Sequence, residues 1–417
     1  MLRPPHAGIV ILLAGCAVDV SGLGGGARDS GADGGSLTDG SHETDGGSGG
    51  DAEPGIDAGV AVPTVIADFP TAGTNDSHPA VVWNGTQFVV GVMVADGAGH
   101  QVDLILLDPG QARSTPTTRV TLGSPAPRKS ITLAPRGGAL AVGWVEDEGS
   151  EWALYTRILP DESSATRQLG SIRVSGDHDD AFFFWVGDRL HAVVRMDGIV
   201  GGEALISVDL GGPVVIPGLS FASATPRFSD LGWGLASRGP LLTSGVVGEM
   251  YRYASGGWDL GVRLTSPEPL GEGDMAELSD GTVLGLWTFV PAGGARELAV
   301  FRLVPSGDVY LQPDPPTRLG WYAPDPAVDV VSDRLVVAFM RENAGGRSLG
   351  LGMLDAAGTP LVGDCAVPAV LPFANEPDIA CGAGWCAVVW MEATAYEAAD
   401  YITRVMQVPA DPLLVCP

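Results

Sequence analysis

Ala327-Val328-Asp329-Val330, the turn Ser332-Asp333-Arg334 and an apolar run that opens at Leu335 and carries Phe339 read together as strand, turn, strand. The turn residues are those that tolerate positive φ or bond their own backbone. The second run of this hairpin recurs along the chain. Its counterparts begin near Phe88, Leu140, Leu190, Leu241, Val283, Leu335 and Cys386, with steps of 52, 50, 51, 42, 52 and 51 residues. An aromatic often falls four positions in, at Trp144, Trp287, Phe339 and Trp390. A period of that length, built only from strand-like units, predicts the blades of a β-propeller.

The rest of each unit follows the same plan. A first apolar run precedes the second by eight or nine positions in most units, as in Ala80-Val81-Val82-Trp83, Ile131-Thr132-Leu133 and Phe182-Phe183-Phe184-Trp185. A third strand ends in turns such as Leu107-Asp108-Pro109-Gly110 and Val304-Pro305-Ser306-Gly307, and Arg119-Val120-Thr121-Leu122 reads as a short fourth. The expectation is an all-β, seven-bladed β-propeller of four-stranded blades with a period of about 51 residues, spanning 63–417. The unit around Trp233-Gly234-Leu235-Ala236 is the weakest, and the 42-residue step after it predicts an abbreviated connection. Val65-Ile66-Ala67-Asp68-Phe69 has no blade of its own. Paired into the last blade it would close the ring and leave no open edge; Leu413-Leu414-Val415 competes for that place.

Ahead of the repeats lie two other segments. Arg3, the apolar 7–12 and then Leu13-Ala14-Gly15-Cys16 read as a signal peptide over 1–15, too short an apolar stretch to span a bilayer as a helix. Residues 16–62 are Gly-, Ser- and Asp-rich, with nine acidic residues and one Arg in 17–62, which predicts a disordered, self-repelling tether. The net charge of −27 argues against nucleic acid and acidic lipid as partners. Beyond Cys16, four cysteines remain in the last 53 residues. Cys381 and Cys386 flank a four-residue turn and are expected to bridge a hairpin; Cys365 would then pair with Cys416.

Motifs for chemistry are scarce. There is no HExxH, no phosphate loop and no dinucleotide fingerprint, and the one G-x-S-x-G match, at 46–50, lies in the tether. Acids recur before the first strand of several units: Asp76, Asp179 and Asp180, Glu272 and Asp274, Asp325, and Glu376. The reading is an acidic ring at one channel mouth, able to hold a cation such as Ca2+ or a basic group, against simple turn capping; no other cofactor is expected. Two function classes follow. The first is a non-catalytic binding or interaction module. The alternative is a carbohydrate-active hydrolase or lyase with channel carboxylates, marked by a deep pocket and one strongly raised pKa.

Leu13-Ala14-Gly15-Cys16 resembles the lipobox of bacterial lipoproteins, which implies acylation of Cys16 and a lipid anchor. The lipobox, the tether and starts such as Asp325-Pro326-Ala327 and His78-Pro79-Ala80 together resemble the propeller-bearing surface lipoproteins of myxobacteria. That resemblance implies a monomer held at the outer membrane of the cell envelope, facing the periplasm or the cell surface. An envelope protein or glycan would be its partner.

Overall fold

The computed structural model describes residues 64–70, 78–95, 100–110, 119–123, 128–147, 152–160, 167–172, 181–186, 189–196, 204–209, 212–215, 231–236, 239–244, 249–254, 257–268, 270–289, 295–307, 309–343, 346–395 and 401–410. These residues form β-strands and their connections, with no helix among them. β1 (Thr64–Pro70) stands first. It is followed by β2 (Ala80–Trp83), β3 (Phe88–Ala95), β4 (His100–Leu107) and β5 (Arg119–Gly123), which pair in sequence order as one antiparallel sheet. The next two sheets repeat that pattern. One holds β6 (Arg128–Arg136), β7 (Ala139–Asp147), β8 (Trp152–Leu159) and β9 (Arg167–Ile172); the other holds β10 (Ala181–Val186), β11 (Arg189–Met196), β12 (Ala204–Asp209) and β13 (Gly212–Val215).

A fourth meander, β14 (Leu231–Ala236), β15 (Gly239–Ser244), β16 (Glu249–Ala254) and β17 (Gly257–Arg263), includes the segment that the sequence leaves hardest to place. The fifth contains β18 (Leu270–Glu277), β19 (Val283–Phe289), β20 (Glu297–Ser306) and β21 (Val309–Leu311), with β22 (Thr317–Arg318) also on β20. The sixth contains β23 (Ala327–Val331), β24 (Arg334–Asn343), β25 (Gly346–Leu354) and β26 (Pro360–Ala366). The last is β27 (Phe373–Gly382), β28 (Trp385–Ala393) and β29 (Ile402–Pro409). All seven repeat starts read from the sequence fall inside second strands. The short step lies between β15 and β19, where β16 and β17 are separated by only two residues.

β1 completes the last group. It pairs antiparallel with β29, Val65 opposite Met406 and Phe69 opposite Thr403, as expected for a strand without a unit of its own. The rival candidate, 413–415, lies outside the described residues.

The core sits between successive sheets. One apolar cluster joins the first and second groups through Val89, Met93, Leu133 and Trp144. Another joins the last group to the first through Val389, Val405, Phe88 and Val90. Others join the fifth to the sixth and the sixth to the last. A group flanked on both faces in this way buries its second strand on both. β19 is buried at every position, so its sequence is a continuous apolar run instead of an alternation. Close approach is built in with glycine: a Cβ on Gly143 or Gly382 would collide with the Phe183 or Trp83 ring of the adjacent group.

Candidate functional site

The first strands of the groups lie beside one another. β14 pairs parallel with β18, and β18 neighbours β23, β23 neighbours β27, β27 neighbours β2, β2 neighbours β6, and β6 neighbours β10. A cavity of about 640 Å³ opens between them, lined by His78 and β2, the middle of β6, Phe183 of β10 and stretches of β18, β23 and β27. First strands set side by side without a full ladder leave backbone N–H groups that need acceptors. Side chains supply them. Asp274 Oδ2 accepts the N–H of Val328 at 2.8 Å, Asp329 Oδ2 that of Cys381 at 2.6 Å, and Asp378 Oδ2 that of Val81 at 2.8 Å. Each spans from its own strand to the next. The other oxygen of each accepts the N–H of the following residue: Met275, Val330 or Ile379. On the far side Thr132 Oγ1 does the same for the N–H of Phe183.

These three carboxylates line the cavity, half-buried by surface but enclosed by protein on most sides. Desolvation is the largest influence on all three, and it pushes them up against the lowering effect of their N–H donors. Asp329 is raised to about 6 and Asp378 to about 7, with Asp329 adding repulsion to Asp378. Asp274 is raised well above the ordinary carboxylate value, and the charges of Asp378 and Asp329 contribute. Three mutually repelling acids thus share one water-reachable space. Among the described residues, the charged or titratable members of its lining are His78, Asp274, Glu277, Asp329 and Asp378, with no Arg or Lys.

Of the acids read as a ring, Asp76, Asp179 and Asp180 lie outside the described residues. The structure corrects the setting of two others. Asp274 and Glu376 lie within β18 and β27, not in loops ahead of them, because each strand begins early and carries a bulge, between Leu270 and Gly273 and between Asn375 and Asp378. Glu272 is also within β18. Of the described acids of the ring, Asp274 is part of the cavity lining. Asp325 and Glu376 stand just before Pro326 and Pro377 with φ of 52° and 50°, a strained conformation for a non-glycine residue. Glu376 pairs with His78 Nδ1 at 3.3 Å, and Asp325 approaches Arg347 at 3.8 Å. Among the described residues no group of three or more His, Cys, Asp or Glu side chains is arranged to hold a metal ion.

Asp329 and Asp378 were missed by the sequence reading. The signal for them was present: an acid inside an otherwise apolar first strand must be hydrogen-bonded, since burial without a partner is costly. The expected Cys381–Cys386 disulfide is formed, across directly opposed positions of β27 and β28. Cys365 is buried and disulfide-bonded; Cys416 lies outside the described residues, as does Cys16.

No protein-family model and no curated protein matches the sequence. Solved structures with a similar course of chain include a protein of unknown function from Dyadobacter fermentans DSM 18053, at 8% identity over 84% of this chain and all of that one, with a TM-score of 0.49. A prolyl endopeptidase is similar at 13% identity over 82% of this chain and 49% of that one, with a TM-score of 0.48. The Trypanosoma rangeli sialidase is similar at 12% identity over 80% and 54%, with a TM-score of 0.40. Similarity at this level assigns no activity.

Proposed function

We propose that the seven strand groups are the blades of a seven-bladed β-propeller, closed where β10 meets β14, and that the cavity is its central channel. We further propose that the channel is the working site of a carbohydrate-active hydrolase. One observation carries this reading: Asp378, held at about 7, faces the same cavity as Asp329 at about 6. Glycoside hydrolysis needs two carboxyl groups in different protonation states. Near neutral pH Asp378 is half protonated and can give its proton to a glycosidic oxygen, while Asp329 is mostly ionised and can act as base or nucleophile. A carboxylate has about four acceptor positions; two N–H bonds therefore leave capacity on each group for a substrate. The acids of the described lining favour a neutral or basic glycan over an acidic one.

The test is release of reducing ends from a panel of neutral and amino-sugar glycans. Asp378→Asn and Asp329→Asn should each lower turnover by about 10²- to 10⁴-fold, the usual contribution of a general acid or base. Glycan binding without turnover at any pH would instead support the second reading, a non-catalytic binding module. That reading is favoured by the bonds themselves. Every oxygen of the three carboxylates already accepts a main-chain N–H, which joins strands with no need of a substrate.

The proposal includes an address. Acylation of Cys16 would tether the domain to the envelope's outer membrane as a monomer through the acidic segment, with calcium and an envelope protein or glycan as candidate ligands. Cys16→Ala should abolish incorporation of labelled palmitate and move the protein from the membrane to the soluble fraction. An unchanged membrane fraction would remove the anchor from this reading.

A further inference from the structure

The Cys381–Cys386 bridge sits where it can do more than staple a hairpin. The two residues are direct cross-strand partners on β27 and β28, with Cα atoms 4.0 Å apart. That spacing belongs to the narrow, non-hydrogen-bonded kind of antiparallel pair, in which each residue's N–H and C=O point away from the partner strand. No ladder bond therefore ties Cys381 to Cys386. The freed N–H of Cys381 points across to β23, where it meets Asp329 Oδ2 at 2.6 Å. Cys381 also lines the cavity, while Cys386 is fully buried in the core behind it. The covalent link thus runs from a fixed core position to the one donor that another strand offers Asp329.

We propose that the Cys381–Cys386 disulfide is a positioning element of the cavity: it holds the Cys381 N–H on Asp329 and so sets the charge of that carboxylate. Of the three carboxylates, Asp329 takes its cross-strand donor from a bridged residue. Asp378 and Asp274 take their cross-strand N–H from Val81 and Val328, and neither of these is bridged. The charges nearest Asp329 that must stay constant for the comparison are Asp378 on β27 and Asp274 on β18, both coupled to it. This inference rests on the cavity being the working site, but its measurement does not need a substrate.

The experiment is a 13C NMR titration of the aspartate carboxyl carbons in the full chain and in the Cys381→Ser/Cys386→Ser double variant, which leaves Cys365 and its bridge untouched. Removing the link should let the N–H drift from Asp329 and raise its midpoint from about 6 by about one pH unit, a tenfold weaker acid. Asp378, repelled less by a more protonated Asp329, should move slightly down from about 7. An Asp329 midpoint that does not move, in a variant whose Asp378 still titrates near 7, overturns the proposal while leaving the hydrolase reading standing. Should the double variant lose its fold, Cys381→Ala/Cys386→Val, which refills the core side with an apolar group, decides by the same readout. Failure of every glycan to turn over would remove the hydrolase and leave this result unaffected.

Discussion

An acid buried in a strand of valines and alanines has to find donors, and here the donors are the unpaired amides of the next strand. Asp274, Asp329 and Asp378 therefore serve two ends: they join strands and they put charge in the cavity. The second has a thermodynamic consequence. In the unfolded chain these carboxyls titrate near about 3.9, whereas the native state binds their protons more tightly. A raised native pKa gives stability that is complete below the unfolded value and is lost as pH climbs through the native one. The melting temperature should accordingly fall between about pH 4 and pH 7, through about 6 for Asp329 and about 7 for Asp378. Asp378→Asn should show a shallower fall than the unmodified chain; parallel curves would refute this account.

A second residue-scale prediction concerns a pair that the sequence shows as Trp-x-Glu. Trp144 Nε1 donates to Glu146 at 2.6 Å and Trp390 Nε1 to Glu392 at 2.9 Å. Glu392 also accepts the N–H groups of Val370 and Leu371 and faces Arg404 at 3.3 Å. Glu146→Ala should cost about 1–3 kcal/mol, the desolvation of one buried donor. Glu392→Ala should cost about 3–5 kcal/mol, since it breaks a buried ion pair as well. Denaturant melts of both variants give the order; equal losses would deny the larger role to Glu392. The distant partners of the cavity acids were not legible beforehand. At Asp274, Asp329 and Asp378, residue type reveals that an acid is out of place in an apolar run, but the cross-strand donor it meets is some fifty residues or more away in the chain.

At the scale of the element, the second strands were the most readable parts because two packed faces leave no room for polar residues. A run such as β19, buried throughout, is visible in one line of sequence. The strands most poorly read were those whose ends depend on a bulge. Glu376 and Asp274 look like loop residues because Pro377 and Gly273 beside them suggest a break, yet a bulge lets the strand begin before them. Sheet-to-sheet contact also hangs on single hydrogens. Gly382→Ala would push a methyl group into the Trp83 ring and should cost about 1–3 kcal/mol through overpacking. Gly363→Ala, whose Cβ would meet nothing within 4 Å, should be close to neutral. Similar losses at both sites would mean that the Trp83 contact yields freely.

For the whole molecule, the decisive pairing joins the two ends of the strand series. β1 is the fourth strand of the group whose other three come last in the chain, and it was foreseen because it had no hairpin of its own. What could not be foreseen was the cavity's chemistry, since a row of neighbouring first strands draws its lining from segments spread over three hundred residues. Deleting residues 1–70 should expose the edge of β29, lower the melting temperature and promote concentration-dependent association, as open edges do. Light scattering and thermal melts of the truncated chain would test this. A truncated protein that melts like the intact one and stays monodisperse would show that β1 adds nothing to closure.

The pairing of β1 with β29 also orders events in time. β1, the earliest of the described strands to leave the ribosome, cannot find its partner until the last hairpin has been made, so the final group stays incomplete until β29 is synthesised. A prematurely ended chain would keep a bare edge at its beginning and lack the sheet that should cover it. The joint therefore works as a check on the strand series: only a chain that includes β29 can cover the edge of β1.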